Sequence, residues 1–420
     1  MSESNEKDLL ENGTEPGLDP QLENKPNEKP EKKKKKKLTK KRLLLRIVLC
    51  TLGVLLLIIG GYLIYVFSSY HRIPDNQVLT PEPDPFVYAR MDRLPPERID
   101  LMTESQTYKI VTYNIGFGAY TPDYSFFMDG GKSSWAKSED ALKENLINIA
   151  GLLESYDPDF VLLQEVDEDG TRSYHVNEVA YMCGIDLFQH VYARNFDSPF
   201  LFWPLLEPHG ANKSGILTLS SAYISSALRR SLPVADSLSK IVDYDRCYSI
   251  CRLPVGELSE TFTDSGSGFT SSSSKELVIY NVHLSAYSTD KVRQAQLSML
   301  FEDMNNEYKK GNYVICGGDF NHDLRSNNES GSVPGWAQSF PKEELPEGFV
   351  FGFDTGAETD IRHDSCRNAD EAYNPDTTFT VLADGFIVSD NITVVQYESA
   401  DLQYAYSDHD PVIMEFILEK

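Results

Sequence analysis

Side chains able to do chemistry recur at the ends of apolar runs in this chain. Asn114 closes the run 109–114, and Gln164-Glu165 follow Phe160-Val161-Leu162-Leu163. His283 follows 276–281, Asp319 and Asn321 flank Phe320 after 313–316, and Ser407-Asp408-His409-Asp410-Pro411 precede the last apolar run. Glu165, Asp408 and Asn114 offer oxygen only, which suits a hard cation such as Mg²⁺ or Mn²⁺ rather than zinc. A cation of that kind polarises a phosphoryl oxygen and neutralises charge on a leaving group. His283 and His409, with acidic partners, supply proton transfer near neutral pH. Asp384 could fix the tautomer of His409 through a hydrogen bond. Asp319 and Asn321, set along a turn, could orient a water and a phosphate oxygen. Taken singly these are weak signals, since a Glu after a strand is usually a solvated strand end and an Asn usually a turn residue. Their joint occurrence carries the weight, because polar groups ending several strands of an α/β protein converge on one sheet edge.

The elements that must position these groups alternate. Strands are expected at 109–114, 160–163, 187–194, 215–219, 223–230, 244–253, 276–281, 313–316, 379–388, 392–398 and 411–418. Helices are expected at 138–156, with Leu142, Leu146, Ile149, Leu152 and Leu153 on one face and Ser138 as cap, and at 290–308. The Ser/Gly/Thr-rich stretch 256–274 reads as a flexible hairpin tip, and 323–376 as one long irregular loop, a feature usually functional or disordered. The aromatic loop 120–135 (Tyr124, Phe126, Phe127, Trp135) could stack bases or touch lipid, local packing being the plainer reading. Cys247 and Cys251 lie about 13 Å apart along an extended strand, too far to bridge, so unpaired buried thiols are expected. Asn212, Asn328 and Asn391 lie in N-x-S/T sequons. His322 and Asp410 read as a turn residue and a strand-start residue rather than a second metal site.

Of 420 residues, 64 are acidic and 39 basic, a net charge of −25. Residues 1–46 hold 9 acids and 13 bases, which leaves 55 acids against 26 bases in the remainder. Such acidity argues against passive coating of DNA, and six cysteines in this length exclude a disulfide scaffold. Residues 1–42 read as a disordered, lysine-rich tail, with six lysines at 32–37. From Ile47 to Tyr70 no Asp, Glu, Lys or Arg occurs. At about 1.5 Å per residue that stretch crosses a hydrocarbon core of roughly 30 Å, so 43–70 is expected to be a single transmembrane helix. Tyr62, Tyr65 and Tyr70 fall at its far end, where aromatic rings favour the interface. The lysines place the tail on the cytoplasmic side and the remainder outside or in a lumen. Residues 71–106, rich in Pro, read as an extended stalk, leaving 107–420 as the outer domain.

The ordered set Tyr113-Asn114, Leu163-Gln164-Glu165-Val166, Asn281-Val282-His283, Gly318-Asp319-Phe320-Asn321, Ala383-Asp384-Gly385 and Ser407-Asp408-His409-Asp410-Pro411 resembles the motifs of the endonuclease/exonuclease/phosphatase superfamily. The likeness covers about 108–418. It implies an α/β fold of four layers, two mixed β-sheets face to face and flanked by helices. It also implies a Mg²⁺- or Mn²⁺-dependent hydrolase that attacks phosphorus with water. Glu165 would be the main metal ligand, with Asn114 and Asp408 close by. His409, paired with Asp384, would serve as acid/base or transition-state stabiliser, and His283 would flank the phosphate. Asp319, with Asn321 beside it, would activate or position water, while family members are described with either Asp319-type or His409-type bases. Ala383-Asp384-Gly385 departs from the usual surroundings of that Asp, and the sequence supplies no carboxylate partner for His283. Arg172, Lys213 and Arg293 are candidate phosphate contacts, with surface or structural roles as the plainer reading. A membrane-tethered phosphodiesterase on extracellular nucleic acid or lipid headgroups is the expectation, with no obligate protein partner. The alternatives are an inactive surface-binding domain and a phosphomonoesterase on inositol-type phosphates.

Overall fold

Strand Thr107–Asn114 is buried along both faces, the mark of a central strand covered on each side. Its Tyr108 and Ile110 enter one apolar core, while Val111 and Tyr113 enter another. The computed structural model describes residues 39–83, 101–235, 244–256, 258–263, 266–271, 274–286, 288–325 and 335–420. The chain divides into two units, 1–60 and 61–420.

Within 61–420, a seven-stranded sheet runs in the order Gln77–Leu79, Ser226–Ser231, Cys247–Pro254, Glu276–His283, Tyr313–Asp319, Asp384–Ser389, Phe349–Phe351. An eight-stranded sheet runs Thr359–Arg362, Ile392–Ser399, Val412–Leu418, Thr107–Asn114, Phe160–Gly170, Asn212–Ser220, Gln189–Asp197, Glu82–Pro83. Both are mixed: Glu276–His283 is parallel to Tyr313–Asp319, and Thr107–Asn114 to Phe160–Gly170. Inner-face residues of both sheets, among them Leu162, Tyr280, Phe386 and Met414, share one core. The sheets approach so closely that a Cβ on Gly317 would lie 2.5 Å from Phe386 and 2.9 Å from Leu162.

Helix Glu139–Ser155 covers the outer face of the second sheet, burying Leu142, Leu146, Ile149 and Leu153. Ser138 caps it, its hydroxyl accepting from Ala141 N. Helix Asp290–Tyr308 covers the first sheet with Leu297, Leu300, Phe301 and Met304. Each such side chain contributes about 1.5–3 kcal/mol of apolar burial. The expected four-layer sandwich of two mixed sheets is therefore the observed fold.

Helix Lys40–Ser69 is long and apolar enough to cross a membrane. The tail 1–38 lies outside the described residues, as does 84–100 of the expected stalk. The described start of that stalk is packed instead: Gln77–Leu79 pairs with Ser226–Ser231, and Glu82–Pro83 with Gln189–Asp197. Unpaired sheet edges there capture the extended, Pro-rich chain. The expected strand 160–163 continues to Gly170 through a bulge between Leu163 and Val166. The stretch 379–388 splits into Thr380–Val381 and Asp384–Ser389, and 256–274 contains the paired strands Leu258–Thr263 and Gly266–Ser271. All six cysteines are free, Cys50 exposed and the others buried.

Candidate active site

Strand register brings the acidic and imidazole groups together. His283 stands opposite Asp319 in the parallel pair, and Asp319 stands opposite Asp384 in the antiparallel pair. The turn into Asp319 needs glycine before it: Gly318 has φ +146, and a Cβ there would lie 2.1 Å from Val282 O. Asn321 sits in left-handed backbone at φ 50, its amide N–H donating to Asp319 Oδ1 at 2.8 Å and its Nδ2 to Asp319 Oδ2 at 3.0 Å. Asn114 Nδ2 also donates to Oδ2, at 3.1 Å. Three donors thus hold the Asp319 carboxylate in one orientation.

His409 Nδ1 lies 2.7 Å from Asp384 Oδ2, which also accepts from Ser365 Oγ at 2.7 Å. Ser365 in turn accepts from the Ala383 and Asp384 backbone N–H groups. The bond to Asp384 turns His409 Nε2 toward the site, 3.9 Å from Asp319 Oδ2 and 3.4 Å from Cys366 Sγ. His283 Nε2 lies 3.5 Å from Asp319 Oδ2 and 3.8 Å from Glu165 Oε1, which supplies the carboxylate partners the sequence left unnamed.

The two histidines are driven apart in protonation. Burial would lower His409, but the charge of Asp384, with that of Asp319 and the hydrogen bond to Asp384, overrules it and raises its pKa well above the usual range. Burial, with the positive charges of Arg246 and His409, holds His283 well below its usual value. Burial, with the charge of Asp384, raises Asp319 to about 7 against the opposing pull of His409. A charged imidazolium, a neutral imidazole and a carboxylate titrating near neutrality therefore face one space. Opposed environments of this kind mark acid/base sites.

Glu165 occupies the bulge at φ 54, so it lies within its strand rather than at its end as expected. The register shift turns its carboxylate into the cleft, where it accepts from Tyr244 Oη at 3.2 Å. A strained backbone of this kind persists where surrounding structure over-determines it, commonly at functional sites. Asp408 follows Ser407, whose hydroxyl donates to Asn114 O at 2.8 Å and ties the late loop to the early strand. Burial raises the Asp408 pKa, and the negative charge of Glu165 adds to the rise. Glu165, Asp408 and Asn114 line the same cleft and offer oxygen donors, the type that suits a hard divalent cation.

Asn114, Glu165, His283, Asp319, Asn321, Asp408 and His409 all line one cleft, of about 870 Å³ including its open mouth. Asp384 lies behind His409. Of the three expected phosphate contacts, only Arg172 reaches the cleft, and it is committed elsewhere. Its guanidinium forms a two-pronged pair with Asp167 at 2.7 and 3.0 Å and lies 4.0 Å over the Phe117 ring. Lys213 is not among the lining residues and lies 3.8 Å from Asp169. Arg293 caps the carbonyls of Ala286, Trp336 and Gly335. Buried cations that close polar backbone read in sequence like cations that bind phosphate.

Arg246 was missed. It lines the cleft 6% exposed, stacked 4.5 Å over Tyr244, and its Nε and Nη1 have no partner among the described residues. Cys366 also lines the cleft, burial pushing its thiol up to about 12. The aromatic loop is packing: Phe117, Tyr120, Tyr124 and Phe126 stack on one another and are buried, although Tyr120 and Phe126 also wall the cleft. His322 and Asp410 serve structure, Asp410 accepting from Leu402 N and Tyr404 N. Asn212 is buried in its strand, Asn391 donates to Asn312 O, and Asn328 lies outside the described residues.

The chain belongs to the endonuclease/exonuclease/phosphatase family, whose model matches residues 111–409. The matched span runs from the strand bearing Asn114 to His409 itself. Solved structures with similar folds include an endonuclease/exonuclease/phosphatase from Beutenbergia cavernae, 14% identical, covering 75% of this chain and 72% of that one at a TM-score of 0.47. Truncated Caenorhabditis elegans TDP2 is 15% identical, with 75% and 98% covered at 0.43. A mannosyl-6-phosphatase of Bacteroides thetaiotaomicron is 14% identical, with 74% and 100% covered at 0.45. Comparison with curated proteins gives no match.

Proposed function

We propose that this phosphoesterase is a membrane-anchored, divalent-metal-dependent phosphodiesterase that adds water to phosphorus in a nucleic-acid or lipid-headgroup diester. The observation that carries it is the Asp384–His409 pair at 2.7 Å facing Asp319 and His283 across one cleft. His409 is held as imidazolium, so it serves as the acid and the stabiliser of phosphoryl charge, and the role of base falls to Asp319. The Asp319 carboxylate takes a proton from the attacking water as its oxygen bonds to phosphorus. The bond to the leaving oxygen breaks, and that oxygen takes a proton from His409 Nε2. Neutral His283 orients the phosphate from the opposite side. Arg246, on the wall of the cleft, supplies positive charge for the phosphate.

Glu165, Asp408 and Asn114 would hold the cation. When bound, Mg²⁺ or Mn²⁺ neutralises charge on the phosphoryl and leaving oxygens. One guanidinium on the cleft wall and one imidazolium suit a singly charged diester better than a dianionic monoester. The helix Lys40–Ser69 and its lysine-rich flank support an anchor with the catalytic domain extracellular or lumenal.

The test is hydrolysis of bis(p-nitrophenyl) phosphate and p-nitrophenyl phosphate by the detergent-solubilised full chain, after chelation and after adding back Mg²⁺ or Mn²⁺. Metal-restored turnover that favours the diester supports the proposal. Turnover of the monoester alone selects the phosphomonoesterase, and binding of metal without turnover of either selects an inactive binding domain.

A further inference from the structure

The segment 199–206, Pro-Phe-Leu-Phe-Trp-Pro-Leu-Leu, carries no charge and no hydrogen-bonding side chain except the Trp203 indole. It is strongly exposed: Phe202 is 52%, Trp203 66%, Leu205 65% and Leu206 101% exposed. Soluble surfaces rarely group four such side chains, and a patch of this kind marks a docking site. Its base is held firmly. Leu201 and Gly210 exchange backbone hydrogen bonds at 3.0 Å, and His209 N donates to Trp203 O at 3.1 Å. The following acidic residue is drawn back, Glu207 Oε2 accepting from Ser134 N at 2.9 Å, and Trp135 Nε1 donates to Pro208 O. The apolar tip is thus presented on a fixed frame.

A second observation identifies what covers it. Tyr62 and Tyr65 belong to the aromatic end of the apolar segment, where rings settle at a membrane interface. The Phe202 N–H donates to Tyr62 Oη at 3.0 Å, and the Phe200 N–H donates to Tyr65 Oη at 3.1 Å. Tyr62 Oη donates in turn to Phe200 O at 3.2 Å, and its ring meets Phe202 edge to face at 6.3 Å. The uncharged loop is therefore bonded to the residues that mark the interfacial level.

We infer that the 199–206 loop is a membrane-docking loop, with Phe202, Trp203, Leu205 and Leu206 inserted into the interfacial layer of the same leaflet. The inference rests on reading Lys40–Ser69 as the membrane anchor. Trp, Phe and Leu on the apolar side of an amphipathic element enter that layer to about 5–10 Å. The docking reaches the active site, because His209 at the end of the loop lines the cleft and packs against Phe126 and Phe127. A loop seated in the headgroup layer would hold that wall of the cleft close to the lipid surface. Lipid headgroups would then be the diester class in reach.

The test uses the full chain reconstituted into phosphatidylcholine vesicles, followed by flotation and by tryptophan emission with brominated phosphatidylcholine or aqueous iodide. The three tryptophans are Trp135, Trp203 and Trp336. The expected result is a floating protein whose emission is partly quenched by bromolipid, with that loss abolished in Trp203→Phe. Exposed Trp203 tolerates the change without loss of the fold, and far-ultraviolet dichroism checks this. A floating protein whose Trp203 is quenched by iodide and untouched by bromolipid overturns the docking loop and leaves the anchor standing. A protein that does not float overturns the anchor and the docking together.

Discussion

Replacing Asp384 by Asn keeps the side chain's size and removes its charge. Oδ2 of Asp384 accepts from His409 Nδ1 and from Ser365 Oγ, both at 2.7 Å, while Oδ1 is buried with no partner among the described residues. If the new amide oxygen faces His409, its NH₂ is buried at the unpartnered position. If the NH₂ faces His409 instead, it meets the Nδ1 proton, and the ring must give that proton up and keep only the one on Nε2. Either way the imidazolium loses its counter-ion and becomes neutral near pH 7. A charge-assisted hydrogen bond contributes about 1.5–3 kcal/mol, and the orphaned donor costs about 1–3 kcal/mol more. At about 1.36 kcal/mol per factor of ten, the lost bond alone lowers turnover roughly 10–100-fold. Loss of the acid form of His409 brings the total to about 10²–10⁴-fold. The assay is kcat on bis(p-nitrophenyl) phosphate over pH 5–9, with the melting temperature recorded beside it. A variant whose melting temperature falls while kcat stays within threefold of the parent would make Asp384 a packing residue only, and the acid role of His409 would go with it.

Arg246→Ala should raise KM or lower kcat by a combined ~10–100-fold through a lost charge-assisted contact, with Arg246→Lys restoring part of it. Lys213→Ala should leave both constants unchanged, because Lys213 lies outside the cleft lining. Glu165→Gln should weaken Mn²⁺ binding about 10–100-fold by calorimetry, and unchanged affinity would remove Glu165 from the ligand set. Glu307 supplies a pH test of stability. Burial opposes its charge, but hydrogen bonds from Arg252, Lys310 and Asn312 lower its pKa to about 2 from 4.5. A depressed pKa means stabilisation that is complete above pH 4.5 and lost as pH falls toward 2. Glu307→Gln should therefore cost about 2–3 kcal/mol in urea unfolding at pH 7, with the gap narrowing below pH 4.5. A gap that widens on acidification would contradict the network.

Much of the site was legible because chemistry sat at strand ends. Asn114, His283, Asp319 and His409 follow or interrupt apolar runs, and strand pairing then converges them without further information. Glu165 reaches the cleft by a different route. Its strand does not stop there but bulges, a feature set by pairing with Asn212–Ser220 that local sequence does not encode. Arg246 gives no signal in sequence because it falls inside the expected strand 244–253, whereas the observed strand starts at Cys247 and leaves Arg246 just before it on the cleft wall. Ser365, which seats Asp384, lies in the region expected as one long loop and reaches the site only through tertiary contacts. Arg172 and Arg293 take Asp167 and backbone carbonyls as partners, which sequence does not show because a cation's partner is a property of the fold and not of its neighbours in sequence. The edge pairing of 77–83 escaped because Pro-rich sequence signals extended backbone equally well in a stalk and at a sheet edge.

The most direct test of the account is metal-dependent hydrolysis of bis(p-nitrophenyl) phosphate by the full chain, measured beside a chelated sample and His409→Ala. Turnover with Mg²⁺ or Mn²⁺ is expected, with loss of it on chelation and a fall of about 10²–10⁴-fold in His409→Ala. Turnover that survives both chelation and His409→Ala would contradict it, because the cleft described here would then not be where phosphate esters are cleaved.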